Sequence, residues 1–321
     1  MKRHLKTIAF GVVLAAATGG ALLSGQSGTI PVADQFKSLH FRSIGPAQAS
    51  GRVSAIATYE ANPSIFYVGS AHGGVWKTTN NGATFTPQFQ NEGLISIGAI
   101  AVSQKDPDLV WVGTGESNNR QSTGWGGGIY KSTDGGKTWA FAGLRDGGQT
   151  GAIRIHPTNP DIAIAAMTGD IFKANTERGV FKTTDGGKTW KNVLAISPDT
   201  GANALAMDPA NPDVLYATTW QRRRAVGQFV GGGPESGVYK SIDGGNKWTK
   251  LTKGLPSGDM GRIALALDGK VKPTRVYLLA NARSSASASA GKDESGFYRS
   301  DDAGLSFRRM EPDPAPAAPA A

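Results

Sequence analysis

From residue 51 onward, apolar and polar positions trade places with the period of a strand that buries one face. The runs Gly51-RVSAIA, Ser96-IGAIAV, Gly151-AIRIH, Gly201-ANALAM and Gly261-RIALAL each carry this alternation. Each leads through a turn, usually with proline, into a more continuously apolar run: Asn62-PSIFYVGSA, Asp106-PDLVWVGTG, Asn159-PDIAIAAMTG, Asn211-PDVLYATTW and Lys272-PTRVYLLANA. A third run ends on a basic residue in every copy: Gly74-VWK, Gly128-IYK, Gly179-VFK, Gly237-VYK and Gly296-FYR. A fourth short strand follows. The pattern predicts five units of four antiparallel strands, and no helical period appears after residue 30.

Between the third and fourth strands lies the same nine-residue block. It begins at Lys77, Lys131, Lys182, Lys240 and Arg299, and its clearest copy reads Lys131-STDGGKT-Trp139. The hydroxyl and the carboxylate of such a block can accept hydrogen bonds from turn amides. A glycine (Gly82, Gly136, Gly187, Gly245, Gly304) permits the positive φ that a tight hairpin needs. This is the Asp-box pattern, S/T-x-D-x-G-x-x-W. Its bracing residues are expected to be Asn80, Asp134, Asp185, Asp243 and Asp302, with Asn80 the one departure from aspartate. Four-stranded units repeating at roughly 50 residues are propeller blades. The expected fold is therefore all-β, a β-propeller of about five four-stranded blades with Asp-box hairpins. The ring is either small and closed, or incomplete, as in half a ring.

The ends of the chain differ from this body. Lys2, Arg3 and Lys6 precede an apolar stretch from Ile8 to Leu23, so residues 1–25 are expected to be a signal peptide, with an uncleaved anchor as the alternative. Residues 26–50 form a lead-in segment, in which Phe36-KSLHFRSIG suits a closing strand. The propeller is expected over 51–310, and the Pro/Ala-rich 311–321 as a disordered tail. The expected location is secreted or periplasmic. Gly 44 and Pro 17 suit many tight turns, and Cys 0 excludes thiol catalysis and cysteine zinc sites. The net charge of +9 contains no long basic run, so nucleic acid is not an expected partner.

The segments FRSIGPAQASGRVSAIA, VGSAHGGVWKTTNNG, VWVGTGESNNR and LPSGDMGRIALAL resemble the BNR/Asp-box repeat proteins, most closely the bacterial sortilin-like group. The resemblance covers residues 36–310. It implies a propeller, and an activity anywhere between sialidases, two-propeller xyloglucanases, sortilin-type receptors and assembly factors. In xyloglucanases an aspartate precedes a GG pair in a segment like Val68-GSAHGGVWK; Ala71 stands there in this chain, beside His72. That departure argues against glycoside hydrolysis, which needs two carboxylates flanking the bond. The GGKT strings at residues 135–138 and 186–189 lack the first glycine of a phosphate loop. No metal motif is present, and no cofactor is expected.

In an antiparallel blade the box turns share one end with the strand one–two turns. The strand two–three loops lie at the opposite end and vary most in length, a common mark of a binding face. Candidate ligand residues near the strand starts are Arg42, Arg52, His72 and Arg262. From the loops come Glu116, Asn118, Arg120, Trp125, Arg178, Trp220, Arg222 and Arg224. Arginine suits carboxylate or phosphate, and tryptophan suits sugar rings. The expected function is an exported, non-catalytic binding or scaffold propeller for a peptide, protein or glycan. The alternative is a polysaccharide-active enzyme or part of a larger propeller protein. An incomplete ring would favour a homodimer.

Overall fold

A computed structural model describes residues 51–118, 123–282 and 293–311. Residues 1–25, expected to be a signal peptide, the lead-in segment 26–50 and residues 312–321 of the tail lie outside these.

The first blade contains β1 (Val53–Thr58), β2 (Phe66–Ser70), β3 (Gly74–Thr78) and β4 (Thr86–Pro87). The second contains β5 (Ile97–Val102), β6 (Val110–Thr114), β7 (Ile129–Ser132) and β8 (Ala140–Phe141). In the third are β9 (Gln149–Ile155), β10 (Ala163–Gly169), β11 (Gly179–Thr183) and β12 (Lys191–Leu194). The fourth begins with β13 (Thr200–Asp208) and β14 (Asn211–Gln221). It then inserts a hairpin, β15 (Arg223–Ala225) and β16 (Gln228–Val230), before β17 (Gly237–Ser241) and β18 (Thr249–Leu251). The fifth comprises β19 (Ile263–Asp268), β20 (Arg275–Ala280), β21 (Gly296–Ser300) and β22 (Arg308–Met310). Each blade is an antiparallel meander in chain order, and β15–β16 forms a separate two-stranded sheet.

Alternation along the strands, reset in β5 by a slip in pairing between Ile97 and Ala99, explains the packing. Ile97 and Ile100 of β5 face the first blade and join Tyr67, Val75 and Phe89 in one core, whereas Ala99 turns the other way into the core with the third blade. Two further cores fill the remaining joints. In the second and third blades the middle strand is covered on both faces, which is why β6 (VWVGT) and β10 (AIAAMTG) are buried throughout. Close blade approach also needs small residues: a Cβ on Gly113 would lie 2.3 Å from Thr150 Cγ2 of the next blade.

Each nine-residue block closes a hairpin braced by its own side chains. In the second blade Ser132 Oγ donates to Asp134 Oδ1 (2.7 Å) and accepts from the Gly136 amide (2.8 Å); the Thr138 amide (2.9 Å) and hydroxyl (2.6 Å) donate to the same carboxylate. Asp185 and Asp302 repeat this set with Thr189 and Ser306, and Asp243 accepts from the Lys247 amide. Asn80 supplies the same acceptor to the Thr84 amide at 3.0 Å, so the amide replaces the acid in the turn.

The boxes also join blade to blade. On each middle strand a residue pairs with the basic residue opening the box: Tyr67 with Lys77, Trp111 with Lys131, Ile164 with Lys182, Tyr216 with Lys240. That pair reaches the next blade's box. Tyr67 Oη and Lys77 Nζ both donate to the Gly135 carbonyl (3.0 and 2.9 Å), and Tyr216 and Lys240 do the same to Ala303 (2.8 and 2.6 Å). Lys131 donates to the Gly186 carbonyl at 3.2 Å, and Lys182 to Asn246 Oδ1 at 3.1 Å.

Candidate functional site

The inner strands of the first four blades share one irregularity. Pairing with the middle strand slips in the stretches beginning at Val53, Ile97 and Ala202, and opposite Ala166. Such a bulge bends a strand and re-aims the residues beside it. In the first, second and fourth blades the slip sits next to the end that carries the strand two–three loops.

At that end, side chains from four blades meet. Arg52, just before β1, donates from Nε to Glu116 Oε1 at 2.6 Å, and its Nη2 contacts Oε2, a bidentate ion pair. Glu116, just after β6, is fully buried. It accepts a third bond from Asn118 Nδ2 (2.9 Å), while its amide donates to Ser96 Oγ (3.0 Å). Arg262, just before β19, donates from Nη1 to Asn118 Oδ1 at 2.9 Å, across 144 residues of sequence. Its guanidinium also lies 6.0 Å from the Trp220 ring. Burial lowers the Arg262 pKa, against the pull of Glu116.

The network continues into the fourth blade. The Arg222 guanidinium sits 5.1 Å from the Trp220 ring and 4.4 Å from that of Phe229. Its Nη1 donates to the Val230 carbonyl at 3.3 Å, and its Nη2 is buried without an acceptor. Burial brings its pKa down to about 10, with Arg224 nearby acting in the same direction.

Three loop residues expected to project toward a ligand are placed otherwise. Trp220 and Arg222 are each 1% exposed, because β15–β16 folds over them. Trp220 therefore serves as a platform for two guanidiniums. Arg178, also 1% exposed, donates to Asn175 Oδ1 and to the carbonyls of Asp199, Arg222, Asp170 and Lys173. It ties the third-blade loop to the start of β13 and the end of β14, and burial lowers its pKa to about 10. Arg224 is half-buried, and its amide donates to the Ile171 carbonyl at 2.8 Å. His72 lies near Gly124, where an added Cβ would come within 3.0 Å of its Nε2. Trp125, the next residue, is 54% exposed. Arg42 and Arg120 lie outside the described residues.

The structure adds side chains that sequence reasoning missed. Phe229 and Val226 stand out from the β15–β16 hairpin, and Phe172 from the third-blade loop. Glu235 accepts from the hydroxyls of Ser197 (2.6 Å) and Thr200 (2.5 Å), while Arg223, which the sequence does place among the arginines of this face, pairs with Asp199 at 2.7 Å. A Val226-Gly227 pair between two short alternating runs is the readable signal of the hairpin, since Gly227 has φ +74°. Among the described residues no group of three or more His, Cys, Asp or Glu could hold a metal ion.

Taken together, the repeated four-stranded sheets and box hairpins define a β-propeller. The sequence pattern of the family described as Sortilin, neurotensin receptor 3 (Sortilin-Vps10) matches residues 127–289, just over half of the chain. The chain belongs to that family. Among characterised proteins it is 25% identical over 242 residues to a xyloglucanase of Paenibacillus sp. and 24% identical over 222 residues to the oligoxyloglucan-reducing end-specific xyloglucanase of Emericella nidulans. These matches take in 68% and 65% of this chain but only 22% and 25% of the relatives' lengths. Solved structures share the fold. The GH74 enzyme of Niastella koreensis superposes with a TM-score of 0.58 at 18% identity, over 80% of this chain and 38% of its own. The GH74 xyloglucanase of Xanthomonas campestris gives 0.56 at 18% identity, over 86% and 40%.

Proposed function

We propose that this is an exported polysaccharide-binding propeller that holds acidic sugar chains at its loop-bearing end without cleaving them. The observation that carries the reading is the charge and aromatic make-up of that end. Arg52 pairs with the carboxylate of Glu116, Arg262 is joined to that carboxylate through Asn118, and Trp125 stands exposed near the same network. Guanidinium groups in excess favour carboxylate-bearing ligands, and an exposed indole offers a flat apolar face to a sugar ring. Likeness to xyloglucanases supports a polysaccharide as the ligand class.

The same geometry argues against hydrolysis. Glu116 accepts from Arg52 Nε and Nη2 and from Asn118 Nδ2, so this fully buried carboxylate is held against Arg52 and not presented to a substrate. Ala71 fills the position where the xyloglucanase resemblance places an acid.

Calorimetric titration with polygalacturonate and with neutral xyloglucan, alongside a reducing-end assay, tests the proposal. The acidic chain should bind more tightly, lose affinity as salt is raised, and yield no new reducing ends. Trp125→Ala should weaken binding by about tenfold, equivalent to about 1.4 kcal/mol. New reducing ends would establish an enzyme instead, and preference for an acidic peptide over the polyuronate would make the ligand a protein segment.

A further inference from the structure

The joint between successive blades is built from the same parts four times, and the two end blades each display one unmatched half of it. On the outgoing side, the position held by Val75, Ile129, Val180 and Val238 is at most 1% exposed in the first four blades. In the fifth blade it is Phe297, 42% exposed, beside Leu279 at 59%. On the incoming side, Ile100, Ile153 and Leu205 are buried against the preceding blade, whereas their counterpart Ile56 in the first blade is 63% exposed. A cleft of about 780 Å³ opens along the fifth blade between Arg262, Ala264, Leu279 and Gly296.

The polar parts of the two halves complement each other. In the inner joints a lysine faces carboxylates, most of them on the following blade: Lys77 meets Asp108 and Asp134, and Lys240 meets Asp208 and Asp302. At the end faces this distribution is exchanged. The first blade carries Ser64 and Asn80 where the second has Asp108 and Asp134. The fifth blade instead carries its own carboxylate. Asp301 accepts from Arg275 (2.6 Å), Arg299 (2.9 Å) and Arg308 (3.3 Å). No like charges therefore face each other across such a contact: the incoming face is neutral at Ser64 and Asn80, and the three outgoing arginines share one carboxylate. The donors remain as well. Tyr277 pairs with Arg299 as Tyr67 pairs with Lys77, and its hydroxyl proton is not given to any acceptor among the described residues. On the first blade, Asn81 has φ 57° and its amide bonds the Ser64 carbonyl, as Gly135 bonds Asp108. Its carbonyl stands where Gly135 and Ala303 accept their bonds.

We propose that the fifth blade of one copy docks on the first blade of a second copy, rebuilding the inter-blade joint in trans. Phe297 and Leu279 pack against Ile56 and Val53, and Tyr277 and Arg299 donate to the Asn81 carbonyl. The contact is heterologous, so it either closes a ring of copies or propagates.

Light scattering of the full chain at tens of micromolar tests this. The unmodified chain should show the mass of two or more copies. Ile56→Asp and Leu279→Asp, both at exposed positions, should each reduce it to one copy with an unchanged circular dichroism spectrum. An equimolar mixture of the two variants should recover a mass of two copies, because each keeps the face that the other has lost. A monomeric unmodified chain would overturn the proposal, as would association that survives Ile56→Asp, or a mixture that stays monomeric. None of these outcomes depends on a sugar ligand.

Discussion

At the residue scale, the box carboxylates combine turn geometry with titration. Hydrogen bonds from the Thr138 hydroxyl and amide, and from Ser132, hold the Asp134 carboxyl well below its usual range, and the Thr189 and Thr183 bonds do the same for Asp185. A depressed folded-state value means that the stabilisation is fully present above the unfolded value, near ~3.9, and is lost as pH falls below it. Thermal melts of the unmodified chain should therefore drop steeply below about pH 4. In Asp134→Asn that acid slope should flatten, while the fold persists as it does around Asn80; an unchanged slope would contradict the assignment. Glu116 makes a different case. Replacing it with Gln leaves Arg52 half-buried beside a neutral partner, which should cost about 3 kcal/mol in urea denaturation. The Asp-box residues were legible in the sequence because they bond within a few positions of themselves. Arg178 and Arg222 were not, because an exposed and a buried arginine read alike until the carbonyls and rings around them are placed.

At the scale of elements, the paired aromatic and lysine on neighbouring strands make the box a joint as well as a turn. Tyr67→Phe and Tyr216→Phe each remove one hydroxyl bond to a box carbonyl on the next blade. Each should lower unfolding stability by about 1 kcal/mol. The double variant should lose the sum, since the two joints share no residue. A loss much larger than the sum, read by denaturant titration, would mean that the joints communicate along the blades. Five-fold recurrence made the strands readable, whereas the β15–β16 hairpin occurs in one blade only. That hairpin decides which loop residues reach solvent: it covers Trp220 and Arg222 and displays Phe229 and Val226.

At the scale of the molecule, curvature carries Arg262 of the fifth blade to Asn118 of the second, and so gathers a polar network from blades far apart in sequence. The same stacking leaves Ile56 on one end blade and Leu279 and Phe297 on the other uncovered. The recognition proposal belongs to the network and the self-association proposal to the end faces, so the titration and the scattering experiment probe separate surfaces.

The sequence by itself determined the strands, their grouping into five sheets and the chemistry of each hairpin. Those features rest on alternation and on hydrogen bonds that span four residues or fewer, so a local pattern suffices to specify them. Only the tertiary structure decided which arginines bond Glu116 or Asn118, which lie sealed under the hairpin, and which apolar faces stay open. Those outcomes depend on how blades stack and curve, and on contacts between residues such as Arg52 and Glu116 that are 64 positions apart. No short window of sequence carries that information.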